Sequence, residues 1–282
     1  MGRVDGRVAL ITGAARGQGR SHAVRLAEEG ADIIAIDVCR DLEVTEYPLA
    51  DAADLEETGR LVEKTGRRVV LRQADVRDAA ALKEAVASGV AELGRLDAVV
   101  ANAGILPIGA GRPVTAFTDT VDVNLLGAVN TVHAALPHLG EGGSVILIGS
   151  VTGQIPGFGD TTPAGPGFAG YRFAKQVLAS YVSTLAVQLA PSGTRVNAIH
   201  PTNVDTAMLR NDPMYRTFRP DLEQPGWDDA EAGFTGIQAM PIAYVEAIDV
   251  SHAVVYLASP ESRYVTGLQM RIDGGALVKQ SL

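Results

Sequence analysis

The sequence predicts an α/β fold of the Rossmann type: a doubly wound, seven-stranded parallel sheet with helices on both faces and a small lid. Three observations carry that prediction. Short β-rich apolar runs alternate with longer stretches of helical period, the runs are apolar throughout as doubly buried strands are, and the first run ends in a glycine-rich turn that opens a helix. The first strand is Val8–Thr12, followed by a helix over 21–29, a strand over 33–37, a helix over 54–64 and a strand Val69–Gln73. This is βαβαβ order. Ala79–Leu93 then reads as a helix, 98–101 as a strand, 121–136 as a helix stopped by Pro137, and 144–148 as a strand. A helix over 171–189, a strand over 195–200, a helix near 250–258 and a strand Gln269–Ile272 complete the sheet.

Three stretches break the alternation. Residues 40–54, with Pro48 and two acidic clusters, and residues 153–170, rich in Gly and Pro, are expected to be loops. Residues 203–245 carry Pro213, Pro220, Pro225, Trp227, Phe234 and Pro241, and read as a partly helical substrate lid within one domain spanning 1–282.

Composition narrows the function classes. The chain has 282 residues, 46% hydrophobic, and a net charge of -9, which disfavours nucleic acid and anionic membrane surfaces as partners. Its single cysteine, Cys39, excludes an internal disulfide or a cysteine cluster for zinc and fits a reducing, cytoplasmic setting. No signal-peptide core and no membrane span is expected.

The turn after the first strand reads Thr12-Gly13-Ala14-Ala15-Arg16-Gly17-Gln18-Gly19. Gly13 permits the tight turn, Gly17 and Gly19 allow backbone and helix to approach a pyrophosphate, and free N–H groups at the helix start favour its charge. Asp37, at the end of the second strand, offers a carboxylate to both hydroxyls of a ribose, so the pattern reads as a dinucleotide site. The same carboxylate would repel a 2′-phosphate, which favours NAD over NADP. Arg16 pulls the other way: it could reach that phosphate, hold the pyrophosphate, or point to solvent. Asp75 and Val76 are placed to hold an adenine edge by a carboxylate and a backbone N–H; Asp75 reads alternatively as the cap of helix 79–93.

Tyr171 and Lys175 stand four apart on one helix face. A phenol of ordinary pKa about 10 is a poor base at neutral pH, but a nearby ammonium and a positive nicotinamide ring favour the phenolate. Such a pair can take an alcohol proton while hydride leaves the carbon. Ser150, just past the fifth strand, is placed to hydrogen-bond the substrate oxygen.

Together, Thr12 to Gly19, Asp75, Asn102-Ala103-Gly104, Asn124, Ser150, Tyr171 and Lys175 resemble, in order and over essentially the whole chain, the short-chain dehydrogenase/reductase family. The resemblance implies that Asn102, Ala103 and Gly104 steady the sheet beside the cofactor. It implies also that Asn124 holds a water in a proton relay, that Lys175 binds the nicotinamide ribose, and that Tyr171 is the acid/base. Pro201-Thr202-Asn203-Val204-Asp205-Thr206 looks like the family's Pro-Gly segment, where backbone groups such as the Val204 N–H, with Thr206, hold the nicotinamide carboxamide. Thr202 in place of the usual glycine, and the long offset from Ser150 to Tyr171, depart from the family pattern.

A narrower resemblance, to the mycofactocin-coupled, carveol-dehydrogenase-like subgroup, rests on Gly17-Gln18-Gly19-Arg20-Ser21-His22, on Asp37-Val38-Cys39, on Tyr47-Pro48-Leu49 and on His200-Pro201-Thr202-Asn203-Val204. It implies a bulky alcohol/ketone substrate and NAD kept between turnovers, with mycofactocin as external electron acceptor; residues 40–54 would cover the nucleotide. Trp227, Phe234, Met208 and Met240 are candidates for an apolar substrate pocket. A homotetramer through helices 121–136 and 171–189 is the family's habit. Two alternatives stand: a 3-oxoacyl-thioester reductase, against which Asp37 and the acidic balance count, and a dinucleotide-sensing regulator, against which the intact Ser150, Tyr171 and Lys175 count.

Overall fold

The computed structural model describes residues 2–155 and 164–282. Seven parallel strands run in the order β3-β2-β1-β4-β5-β6-β7. They are β1 (Val8–Thr12), β2 (Asp32–Asp37), β3 (Val69–Gln73), β4 (Leu96–Ala101), β5 (Leu139–Ile148), β6 (Arg195–Pro201) and β7 (Gln269–Ile272). The chain starts in the middle, winds outward to β3, returns past β1 to β4 and winds outward again. The strand order therefore reverses between β1 and β4, and the crevice beyond their carboxyl ends is where such sheets bind ligands.

Helices α1 (Gly17–Glu28), α2 (Ala52–Glu63), α3 (Ala79–Leu93), α4 (Thr115–Val121), α5 (Gly127–Ala135) and α6 (Gly165–Leu189) follow in chain order. After β6 come α7 (Asp212–Phe218), α8 (Trp227–Ile237), α9 (Ala247–Ala258) and α10 (Ala276–Gln280). Two apolar cores lie on opposite faces of the sheet: one joins Leu10, Ile34, Val99 and Leu147 to α3, α5 and α6, the other joins Ile11, Ile33, Val100 and Ile199 to α1 and α9. Alternate residues of β1, β2, β4, β5 and β6 feed alternate cores, which is why these strands are apolar at consecutive positions.

The differences from expectation have local causes. The helix expected over 121–136 is three pieces, because residues Asp122–Leu126 form a π-helical turn between α4 and α5. Such turns release backbone groups from the regular ladder. α6 begins at Gly165, six residues before Tyr171, so the C-terminal part of the expected 153–170 loop is helix; residues 156–163 of that loop lie outside the described residues. Asp78, not Asp75, caps α3, its carboxylate accepting from Ala80 N and Ala81 N. Segment 203–245 holds α7 and α8 around a third apolar cluster that includes Phe234, Met214 and Leu209.

Candidate active site

The glycine-rich turn makes a cradle at the end of β1. Gly13 and Gly17 adopt φ of +68° and +54°, in the region where a side chain is strained, and a Cβ on Gly19 would lie 1.9 Å from the Gly13 carbonyl oxygen. No side chain caps α1, and its first turn carries no acidic residue, so its N–H groups remain free for a negatively charged group. Asp37 closes the adjacent edge. Its Oδ2 accepts from Ala15 N at 2.9 Å and its Oδ1 from Cys39 N at 3.3 Å, which leaves lone pairs on both oxygens for ribose hydroxyls. Burial pushes the Asp37 carboxyl up, against the pull of these backbone donors. Asn102 ties β4 to this turn, its amide donating to the carbonyls of Thr12 at 3.0 Å and Gly13 at 3.2 Å.

One cavity brings together Gly13, Arg16, Gly17, Gln18, Gly19, Asp37, Val38, Asp75, Val76, Asn102, Ala103, Gly104 and Thr206. These are the residues expected to hold the nucleotide, and the uncapped helix start, the Gly13/Gly19 close approach and the Asp37 carboxylate fit a dinucleotide. Two of them have other partners as well. Arg16 lines this cavity and donates to the Pro48 carbonyl at 2.6 Å. Asp75 is paired with Arg77 at 2.6 Å and Arg40 at 3.2 Å. Burial raises the Asp75 carboxyl, but the hydrogen bonds and charge from these guanidiniums outweigh it and hold the group down at about 2.

Residues 40–54 run along the same cavity as a strap: Leu42, Tyr47, Leu49 and Ala50 line it. The chain enters the strap through Cys39, the one non-glycine described residue at positive φ, +50°. Tyr47, buried, reaches across so that its hydroxyl accepts from Leu106 N at 3.1 Å. Glu46 pairs with Arg112 at 2.8 Å and Arg216 of α7 at 3.5 Å. The Tyr47-Pro48-Leu49 step marked this segment in the sequence, but no local pattern indicated Leu106, Arg112 or Arg216 as its partners.

The second cavity, about 550 Å³, opens beside the first and shares Gln18, Thr206 and Met208 with it. Ser150, Tyr171, Pro201 and Val204 line it. Ser150 Oγ hydrogen-bonds the Tyr171 hydroxyl. Behind Tyr171, one helical turn on, Lys175 is 4% exposed, with Nζ 5.6 Å from the Tyr171 ring centre and donating to the Ile148 carbonyl at 2.6 Å. Burial raises the Tyr171 phenol, opposed by the Ser150 bond, and lowers the Lys175 ammonium to about 8.

Asn124 lines neither cavity. Its side chain bonds the backbone of Ile105, accepting from N at 2.8 Å and donating to O at 2.9 Å, at the centre of the π-helical turn, and keeps one N–H and one lone pair beyond these. Thr202 is not in the left-handed region, so the absent glycine costs the backbone nothing; its hydroxyl accepts from Gln238 Nε2 at 3.0 Å. Of the four residues proposed for an apolar wall, only Met208 lines the substrate cavity. Phe234 is fully buried and stacked on Trp227 at 5.3 Å within segment 203–245, and Met240 is 57% exposed. The walls come instead from Leu106, Ile108, Phe168, Leu209, Met214, Phe218 and Ile237. These residues sit in loops, short helices or helix ends, where no periodicity distinguishes a wall from packing.

Comparison with known proteins decides the family. A family model described as Enoyl-(Acyl carrier protein) reductase matches residues 13–276. A short-chain type dehydrogenase/reductase of Mycolicibacterium smegmatis is 50% identical, with 99% of each chain covered. The chain belongs to the short-chain dehydrogenase/reductase family. Other members of the family are also near. The (-)-trans-carveol dehydrogenase of Rhodococcus erythropolis is 44% identical over 99% of this chain and 100% of its own length. The crystal structure of carveol dehydrogenase from Mycobacterium avium in complex with NAD superposes with a TM-score of 0.93 at 48% identity, covering 99% of this chain and 100% of that one. As a member of this family, the protein is an oxidoreductase with a Rossmann-type sheet. Among the described residues no helix is long and apolar enough to cross a membrane.

Proposed function

We propose that this short-chain dehydrogenase/reductase interconverts a bulky, largely apolar secondary alcohol of the carveol type and its ketone, with NAD as hydride carrier. The observation that carries the reading is the joining of two cavities at Gln18 and Thr206: a nucleotide cradle closed by Asp37, and a chamber of about 550 Å³ walled by apolar side chains around Ser150 and Tyr171. That volume lies within the roughly 300–1,000 Å³ of small-molecule sites. NAD, when bound, accepts the hydride from the carbinol carbon. Ser150 holds the substrate oxygen, Tyr171 takes its proton, and Lys175 lowers the cost of the phenolate by charge. Asp37 accepts from the adenosine ribose, Gly17, Gln18 and Gly19 turn N–H groups toward the pyrophosphate, and Lys175 reaches the nicotinamide ribose. The N–H of Val204 and the Thr206 hydroxyl receive the carboxamide. The Val204 N–H has no acceptor among the described residues, which leaves it free for this use.

The strap supports a second part of the reading, that NAD is retained between turnovers and reoxidised by mycofactocin. To release the nucleotide the strap must give up the Tyr47–Leu106 and Arg16–Pro48 bonds together with the Glu46 ion pairs. A homotetramer through the α4–α6 face, where Leu126 and Val187 are exposed, completes the reading and is checked by light scattering. The experiment for the reaction mixes purified enzyme with carveol, without added NAD, and watches nicotinamide absorbance. A rise stoichiometric with protein and absent in Tyr171→Phe supports retained NAD. Steady turnover only when NAD is supplied keeps the dehydrogenase and refutes retention. Silence with and without NAD refutes the carveol-type substrate.

A further inference from the structure

His200, in β6, lies directly behind Ser150 and lines neither cavity. Its ring is fully buried. Nδ1 stands 3.1 Å from the Ser150 carbonyl oxygen and Nε2 stands 2.7 Å from Oε1 of Gln269 in β7. Gln269 Nε2 in turn donates to the Ala179 carbonyl of α6 at 3.1 Å. The ring is pressed against the chain at the end of β5: a Cβ on Gly149 would lie 2.4 Å from Nδ1.

Donor and acceptor counting limits how this chain of groups can be protonated. The Ser150 carbonyl can only accept, so the contact is favourable only when Nδ1 carries a hydrogen. An imidazolium satisfies Ser150, Gln269 and Ala179 at once. Burial disfavours that charged ring; a neutral ring protonated at Nδ1 satisfies Ser150 and takes a hydrogen bond at Nε2 only with the Gln269 amide reversed, at the expense of the bond to Ala179. A neutral ring protonated at Nε2 sets a buried lone pair against the Ser150 oxygen, which is unfavourable. Every state with a favourable contact at the Ser150 carbonyl therefore has Nδ1–H donating to it. That carbonyl also accepts from Gly153 N at 3.1 Å, so two donors from different parts of the chain pin the Ser150 peptide where β5 ends.

We propose that His200, oriented by Gln269, is a positioning residue that holds the Ser150 backbone so that its hydroxyl meets Tyr171 and the substrate oxygen. The inference rests on the reading of Ser150 given above. A ring that merely filled space would be replaceable by an apolar side chain of similar size, whereas this role needs an N–H at the Nδ1 position. Displacing a positioned group by about 1 Å can cost on the order of a hundredfold in rate, which sets the scale of the effect.

The test compares His200→Leu, His200→Asn and Gln269→Leu with Ser150→Ala and Tyr171→Phe, measuring kcat, KM, bound NAD and melting temperature. Leucine removes the donor; asparagine keeps an N–H near the Nδ1 position. His200→Leu is expected to lower kcat about 10- to 100-fold with KM and bound NAD little changed. His200→Asn should recover most of that loss, and Gln269→Leu should lower kcat in the same direction by less. Equal kcat in the folded leucine and asparagine variants overturns the proposal. If His200→Leu does not fold, Gln269→Leu decides, and wild-type kcat in it overturns the proposal. Full activity in Ser150→Ala and Tyr171→Phe would overturn the underlying site reading itself; loss there with His200→Leu unaffected would overturn only the positioning role.

Discussion

Asp37→Ser isolates what one carboxylate contributes to cofactor choice. In the folded protein Asp37 is 9% exposed, accepts from Ala15 N at 2.9 Å and lines the cavity proposed for the adenosine ribose. A 2′-phosphate placed about 4 Å from this carboxylate would meet a repulsion of about 4 kcal/mol per unit charge at an effective dielectric near 20. Residual solvent contact and counterions reduce that, so we work with about 3 kcal/mol, roughly a hundredfold preference for NAD over NADP. Serine removes the charge and the longer reach to the ribose hydroxyls, each charge-assisted bond being worth about 1.5–3 kcal/mol. The expected outcome is NAD binding weakened at least about tenfold, NADP binding strengthened, and a preference collapsed toward unity. The loss of an acceptor for Ala15 N also costs about 1–3 kcal/mol of stability. The assay is titration of protein stripped of nucleotide with NAD and with NADP, followed by intrinsic fluorescence, beside a urea melt. An NAD-to-NADP ratio unchanged by Asp37→Ser would refute the assignment of discrimination to this carboxylate.

Lys175 makes stability depend on pH in the nucleotide-free enzyme. Its folded value of about 8 lies below 10.5, so folding penalises the charged form fully below pH 8 and the penalty fades as pH rises to 10.5, by up to about 3 kcal/mol; urea midpoints at pH 7 and pH 10 should show the rise, and Lys175→Met should flatten it. Tyr47→Phe removes the acceptor for the buried Leu106 N–H, about 1–3 kcal/mol, and should speed release of bound NAD about tenfold or more, read by exchange with labelled NAD. Gly19→Ala sets a Cβ 1.9 Å from the Gly13 oxygen and should abolish nucleotide binding or folding, read by calorimetry. Phe218→Ala opens the wall of the substrate cavity and should raise KM for a carveol-type alcohol while sparing NAD binding, in contrast to Asp37→Ser.

What the sequence by itself determined is what short-range rules encode. Consecutive apolar positions in Val8–Thr12 and in Ile33–Ile36 of β2 mark strands buried on both sides, because alternate side chains must enter opposite cores. Gly13, Gly17 and Gly19 are readable because only a residue lacking Cβ fits their φ or their close approach. Tyr171 and Lys175 are readable as a pair because four residues bring a helix back to one face. Tertiary structure alone decided the rest. Asp78 caps α3 from the position just before Ala79, while Asp75 pairs instead with Arg77 and with Arg40 from the distant strap. Arg16 reaches the Pro48 carbonyl because the strap passes beside it, and Trp227 and Phe234 pack together within segment 203–245 while Leu106 and Phe218 line the cavity wall. An apolar side chain leaves water equally well on either side of such a segment, so its address is set by distant chain segments rather than by its neighbours in sequence.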